Sequence, residues 1–443
     1  MSAVFRRRMA FDHRQAVRGE GVYLWDSEGR RYIDAAGGAV VVNVGHGVAA
    51  IAEAMARQAA DAAYVHATLF TSAALEAYSQ ALAPLLPLDE PRFYPLTSGA
   101  EGVEAALKFA RQLQVARGEA TRELVIARWG SYHGATLGAL AVTGKTKMRT
   151  LFAPMFRDQP HIPPPYCYRC PFDASYPACD LPCARALEVE VQRQGAGRVA
   201  AFIAEPVGGA TLGAVVPPDG YWPLIRQICD RYGLLLIADE VMTGFGRTGR
   251  WFGMEHFGVR PDVMVLGKGA TGGYFPLSIL AVRGGDVETV RRAHGDFNHG
   301  GTFSHHAVGA AAALATLRLL QEQHLVEAAA ERGAELGQRL RQELGDLPCV
   351  GDVRGLGMMW GVEFVADRRS KAPFPPQRQF SRRVCDRAFE RGLIVYHGAG
   401  SVDGTAGDHL MVAPPFVISL AEVEEVVSLL RQAILDVWRE ETA

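Results

Sequence analysis

From about Glu90 to Leu320 the chain alternates short apolar runs rich in β-branched residues with longer stretches of helical period. This alternation constrains the fold more than any other feature, because parallel strands need long crossovers and helices supply them while covering the sheet. Five runs read as buried strands: ELVIAR (Glu123 to Arg128), VAAFIAEPV (Val199 to Val207), LLLIADEV (Leu234 to Val241), DVMVLG (Asp262 to Gly267) and LSILAVR (Leu277 to Arg283). Among the intervening stretches, AEGVEAALKFARQLQVARG places Val103, Leu107 and Ala110 on one helical face. The expected class is α/β, a mostly parallel sheet flanked by helices.

The chain ends follow another pattern. Beyond Leu320 two long amphipathic stretches flank GMMWGVEFVAD, and AEVEEVVSLLRQAILDVWRE closes the chain as a helix, while GVYLWDSEGRRYIDAAGG reads as a hairpin around Ser27, Glu28 and Gly29. These readings predict a large α/β domain over residues 50–320 and a smaller α+β domain built from residues 1–49 and 321–443. A total of 46 Lys+Arg against 48 Asp+Glu gives a formal charge of −2, too weak a field to recruit nucleic acid or an anionic membrane. No apolar run reaches the roughly 18 residues of a membrane helix. The opening MSAVFRRRMAFDHRQ has neither the apolar core nor the cleavage site of a secretory signal. The expected setting is cytoplasmic, and the expected partners are small molecules.

Four of the seven cysteines lie in CYRCPFDASYPACDLPC, at Cys167, Cys170, Cys179 and Cys183. The spacing is similar to zinc-ligand patterns, although the loop between the pairs is shorter than usual. A Pro-rich surface loop with reduced thiols or an incidental disulfide is the plainer reading, a structural metal the alternative, and no catalytic metal is expected.

In an open parallel sheet, ligands bind beyond the carboxyl ends of the strands. Three strand ends carry ionisable residues directly after apolar ones: Glu205, Asp239 with Glu240, and Lys268. Burial at such an edge disfavours the Lys268 ammonium and leaves a nucleophilic amine near neutral pH, with the glycines of VMVLGKGATGG giving ligands close approach to the backbone. A buried Asp239 needs a cation or a shared proton, and the protonated ring nitrogen of pyridoxal phosphate is such a partner. Ser98 with Glu101 forms a capping box in LTSGAEGVEAALKFAR, and Gly99 and Ala100 leave room for backbone N–H groups to meet an anion. Tyr132, in SYHGAT, could stack on a flat ring. Taken singly, each has a plainer reading: a solvated turn lysine, an aspartate satisfied by backbone N–H groups, an ordinary capped helix.

Together, LLLIADEVMTGFGRTG followed by PDVMVLGKGATGG resembles the class III aminotransferases, the omega-amino-acid and ornithine-type members of the fold-type I pyridoxal-phosphate enzymes. The resemblance runs from GVYLWDSEGRRYIDAAGGAVVVNVGHG to APPFVISLAEVEEV. It implies pyridoxal 5′-phosphate as cofactor and Lys268 as the Schiff-base lysine and proton shuttle. Asp239 would lie at the ring nitrogen, and Glu205 near the phenolic oxygen and the substrate. Val241 and Tyr132 would occupy the two ring faces, with His133 among the cofactor-binding residues and Ser98, Gly99 and Ala100 at the phosphate. Thr302, in HGGTFSHH, would reach the phosphate of a neighbouring subunit, which implies a homodimer or a tetramer. The implied reaction moves an amino group from an amine or an omega- or beta-amino acid to a keto acid or aldehyde in two half-reactions at one site. Racemases, an aminomutase and a decarboxylase of the same family share Lys268 and Asp239 and stand as alternatives. A Rossmann-type binding protein would need G-x-G-x-x-G, which LTSGAEGVEAAL does not supply.

Two departures stand out. Met242 occupies a position where the family commonly has Gln. Members using α-keto acids often carry an arginine shortly before the APP segment, but this chain has no Arg or Lys between Gly392 and Leu430. A carboxylate leaving water needs a cation or several N–H donors. The expectation is therefore a less anionic substrate, or an acid bound through His397, His409 or a distant arginine. For both histidines, solvation in a loop is the plainer reading.

Overall fold

The computed structural model describes residues 3–9 and 11–442. Near the N-terminus Ala16–Glu20 (β1), Tyr23–Asp26 (β2) and Arg31–Asp34 (β3) pair antiparallel in succession. The expected hairpin is the second of these pairs, and its turn is tied by Asp26, whose carboxylate accepts the N–H groups of Glu28 at 3.0 Å and Arg30 at 2.9 Å. Seven further strands build the central sheet: Arg92–Leu96 (β4), Leu124–Arg128 (β5), His161–Ile162 (β6), Val199–Ala204 (β7), Leu235–Asp239 (β8), Val263–Leu266 (β9) and Ser278–Val282 (β10). Their order is β4-β10-β9-β8-β7-β5-β6, and only β10 runs against its neighbours.

Strands β5, β7, β8, β9 and β10 match the five apolar runs, and every residue in them is buried, as expected of strands covered on both faces. The sequence reading lacked β4 and β6, the two edges. In β4, Pro95 breaks the strand signature, yet an edge strand tolerates a residue that cannot donate to the ladder. The helix Gly99–Ala116 lies against the sheet through Val103, Ala106, Ala110 and Leu113, with Leu107 half-buried beside them. Gly102 permits that approach, since a Cβ there would sit 2.8 Å from Val265 Cγ1.

The chain ends meet. Val350–Leu356 (β11), Met359–Phe364 (β12), Tyr396–Ala399 and Asp408–Val412 form an antiparallel sheet, and Leu393–Ile394 pairs in parallel with β3, Leu393 opposite Ile33. Helices Leu325–Leu344, Phe380–Glu390 and Leu420–Thr442 pack around these strands. Buried Arg247 fastens both ends to the central unit: its guanidinium donates to Met358 O (3.1 Å), Ala413 O (3.1 Å), Pro414 O (2.7 Å) and Val42 O (2.9 Å). Burial pulls its pKa down to about 9, and four carbonyls compensate for the lost water. Among the described residues, no helix is long and apolar enough to cross a membrane.

Candidate active site at the carboxyl ends of three strands

Strands β7, β8 and β9 are adjacent and parallel, so their carboxyl ends share one edge of the sheet. Glu205 follows β7, Asp239 ends β8, and Lys268 begins the turn after β9. The sheet therefore brings together the three positions singled out in the sequence. Glu240 faces elsewhere: its carboxylate accepts Gly253 N and Met254 N, both at 2.8 Å, and the Thr243 hydroxyl.

Lys268 adopts φ +43°, in the left-handed region that non-glycine residues rarely occupy. The surrounding turn holds it there. Ala270 N bonds Gly267 O at 2.9 Å, Thr271 Oγ1 bonds Phe275 O at 2.6 Å, and the Asn43 amide donates to Gly269 O at 3.0 Å and Phe245 O at 3.3 Å. At Gly269 a Cβ would lie 2.9 Å from Asn43 Nδ2 and at Gly272 2.9 Å from Val44 Cγ2, so these glycines admit protein neighbours rather than the expected ligand. Burial pulls the Lys268 ammonium down to about 8, Asp239 and Glu205 partly restore it, and Arg247 opposes them.

Asp239 is bracketed by two donors. His133 Nδ1 lies 2.7 Å from Oδ2 and donates to it, while Val241 N donates to Oδ1 at 3.1 Å. Behind the Tyr132–His133 loop, Thr143 Oγ1 accepts His133 N at 2.9 Å and donates to Gly134 O at 3.1 Å. Glu205 accepts Gly209 N at 3.1 Å on Oε1. Burial pushes the Glu205 carboxyl up, His133 pulls it back, and Asp239 adds to the rise. Met242 lies against Gly209, where a Cβ would meet its sulfur at 3.2 Å.

Ser98 caps the helix Gly99–Ala116 by accepting Glu101 N at 3.3 Å. The capping box closes differently from the expectation: Glu101 reaches back to Thr97 N at 2.9 Å and to the Thr97 hydroxyl rather than to Ser98. Val241 touches this helix start, where a Cβ on Gly99 would lie 3.0 Å from its Cγ1, and Gly134 faces Ala100 in the same way at 2.7 Å. Tyr132 stands 39% exposed at the rim. Thr302 is exposed between open Gly301 and exposed Phe303.

Several polar groups here are left unmet by the protein. Among the described residues, Glu205 Oε2 and His133 Nε2 are buried without partners. Among the described residues, Lys268 Nζ and the N–H groups of Gly99 and Ala100 also lack them. An amine, a bracketed aspartate and bare helix N–H groups fit a ligand that combines a carbonyl, a basic ring nitrogen and an anion.

The two candidate carboxylate-binding histidines do not lie in loops. Both occupy strands: His409 is fully buried with Nε2 2.9 Å from Ala210 O, and His397 Nδ1 accepts from Arg382 at 2.9 Å. Burial, joined by Arg382, pulls His397 down to about 3, and burial pulls His409 down to about 4, so neither supplies a cation at neutral pH. Asn43 was not among the expected site residues; its signal is a lone amide within the apolar run AVVVNV. All seven cysteines are unpaired, burial pushes Cys183 up to about 11, and among the described residues no group of three or more His, Cys, Asp and Glu is disposed to hold a metal.

The family described as aminotransferase class-III matches residues 6–434. A putrescine–pyruvate aminotransferase of Pseudomonas aeruginosa is 35% identical over 94% of this chain and 92% of its own length. An uncharacterised aminotransferase, YodT of Bacillus subtilis, is 36% identical over 94% of this chain and 93% of its own. The crystal structure of an (S)-enantioselective omega-transaminase from Thermomicrobium roseum superposes with a TM-score of 0.91 at 39% identity, covering 97% of this chain and 94% of that one. This chain is thus a fold-type I transaminase and belongs to the class-III aminotransferase family.

Proposed function

We propose that the protein uses pyridoxal 5′-phosphate, held at the edge of β7, β8 and β9, to move an amino group from an amine or an omega- or beta-amino acid to a keto acid or aldehyde. The observation that carries this reading is the convergence of Lys268, Asp239 and Glu205 at one sheet edge, with Asp239 already bracketed by His133 and Val241. When bound, the cofactor supplies an electron sink for charge developing at the donor's amine-bearing carbon. Asp239 keeps the ring nitrogen protonated, and His133 fixes that carboxylate from behind. Lys268 Nζ, with its lowered pKa, takes a proton from the donor carbon and returns one to the reacting centre. Glu205 orients the substrate side, while Tyr132 and Val241 bound the ring faces and exclude water. Ser98, Gly99 and Ala100 receive the phosphate at the helix start. Exposed Thr302 completes that phosphate site in a second copy, making the working unit a homodimer or a tetramer.

The relatives named for putrescine and omega-transaminase chemistry favour donors whose amine-bearing carbon carries no carboxylate. Residues 50–320 make the large cofactor-binding domain, and residues 1–49 with 321–443 make the small one, a division supported by the pairing of β3 with Leu393–Ile394. Seven unpaired thiols support a cytoplasmic setting. The test is to mix cofactor-loaded protein with candidate amines in the absence of any acceptor. Release of one carbonyl product per site is expected, with loss of visible absorption. Inversion of a chiral donor without carbonyl release would replace the transaminase reading with the racemase one.

A further inference from the structure

The segment between the helices Leu137–Val142 and Thr146–Arg149 carries a lysine that the site leaves unused. Gly144 is clamped to the loop that leads into Tyr132: its N–H meets Ser131 O and Oγ, each at 3.1 Å, and its carbonyl accepts Gly130 N at 3.1 Å. A Cβ there would lie 2.1 Å from Arg128 O, so the clamp demands glycine. One residue on, Lys145 emerges beside that loop. It lines a cavity of about 320 Å³ together with Trp129, Gly130, Thr211, Leu212 and the turn at 400–404. A smaller cleft shares Trp129, Gly130, Pro164 and Leu212 with this cavity and has Glu205 in its wall, so the cavity adjoins the candidate active site.

Lys145 Nζ has no hydrogen bond or ion pair among the described residues. Burial lowers the ammonium, and Arg7 and Lys147 lower it further; the same Arg7 acts on the Tyr132 hydroxyl. The acid in the cavity wall, Asp403, turns Oδ1 to Thr405 N at 2.8 Å and Ala406 N at 2.7 Å. Of the nearby guanidinium groups, Arg149 is engaged by three carbonyls and Asp158, Arg354 by Asp352 and Glu363, and Arg382 by His397, while Arg128 donates to Glu205 O from the adjoining cleft and keeps Nη1 buried without a partner. Arg7 is exposed, with no hydrogen bond or ion pair among the described residues, so Lys145 is the uncommitted cation that lines the cavity itself. His397 and His409 are held neutral. An anion entering the cavity therefore meets an uncommitted ammonium, half-shielded from water, where a charge-assisted bond is strongest.

Resting on the transaminase reading above, we propose that Lys145 binds the carboxylate of an acidic substrate in this cavity, the role the family resemblance gives to an arginine that this chain lacks before Ala413. An ammonium on a flexible stem grips a carboxylate less rigidly than a guanidinium fork. The same pocket then accepts neutral and acidic carbonyl compounds by extending or withdrawing one side chain.

The test compares wild type, Lys145→Gln and Lys145→Arg, all loaded with cofactor, on pyruvate and on propanal, and titrates the unreactive propanoate by calorimetry. For Lys145→Gln the ratio of kcat/KM for pyruvate to that for propanal is expected to fall about tenfold or more, and the propanoate Kd to rise by a similar factor, the worth of one charged hydrogen bond. Lys145→Arg is expected to recover most of both. An unchanged ratio, whether or not both acceptors slow together, or an unchanged propanoate Kd overturns the proposal. If the wild type aminates neither acceptor with any donor, the transaminase reading fails separately, and the propanoate titration still decides Lys145.

Discussion

Lys268 is expected to titrate far below an ordinary lysine in protein freed of carbonyl ligands. Its ammonium is pulled from 10.5 to about 8 by burial against the ends of β8 and β9. At pH 7 about one amine in ten is then neutral, against about one in three thousand at 10.5, a difference of roughly 300-fold. The chain has only five lysines, at 108, 145, 147, 268 and 371, so competitive labelling with a trace of dinitrofluorobenzene resolves each site by peptide mass. Labelled between pH 6 and 11, the Lys268 peptide should show a midpoint near 8, with exposed Lys108 and Lys371 as internal references. Lys268→Ala should abolish turnover while leaving the unfolding midpoint within a few degrees. A Lys268 midpoint at or above about 10 would refute the desolvation argument, and near-normal transamination by the alanine variant would refute the residue's assignment.

Three further outcomes follow from packing and charge. The buried Glu240 carboxyl titrates at about 7 in the folded chain against 4.5 when exposed, so the folded form binds more protons between those values. Stability should fall as pH rises from about 4.5 through 7, by up to about 3 kcal/mol, and urea midpoints at pH 5 and 8 should show that slope weakened in Glu240→Gln. Asn43→Ala, which strips the amide from Gly269 O and Phe245 O, should cost about 1–3 kcal/mol in urea unfolding and lower kcat as the Lys268 turn loosens. Gly337→Ala would set a Cβ 1.9 Å from Trp360 Cζ2, and the helix Leu325–Leu344 would have to move; a loss of about 3 kcal/mol or more is expected in thermal unfolding.

The sequence revealed those parts of the fold in which burial is uniform. β5 and β7 to β10 are hidden on both faces, so their apolar runs are unbroken and the charged residue after each run marks its end. Lys268, Asp239 and Glu205 were legible for that reason. β4 escaped because Pro95 is tolerated only at an edge, and edge position is a property of the assembled sheet. His397 and His409 read as loop residues because the strand of His409 is placed by pairing with β12, about fifty residues earlier, and the strand of His397 is an edge beside it, neither of which shows as a local apolar pattern. Asn43 acts on carbonyls more than two hundred residues away and leaves only a break in an apolar run as its trace.

The Arg247 guanidinium has a bearing on how the enzyme comes into being. Its four acceptors lie at Val42, Met358, Ala413 and Pro414, so the knot cannot be tied until the last of them has left the ribosome. Until then the guanidinium has no substitute for water, and the neighbouring Lys268 turn lacks its full surroundings. The central sheet can collapse during synthesis, but a finished catalytic pocket is a post-translational event. The turn that carries Lys268 thus reaches its final surroundings only after the carboxyl-terminal segment has been released.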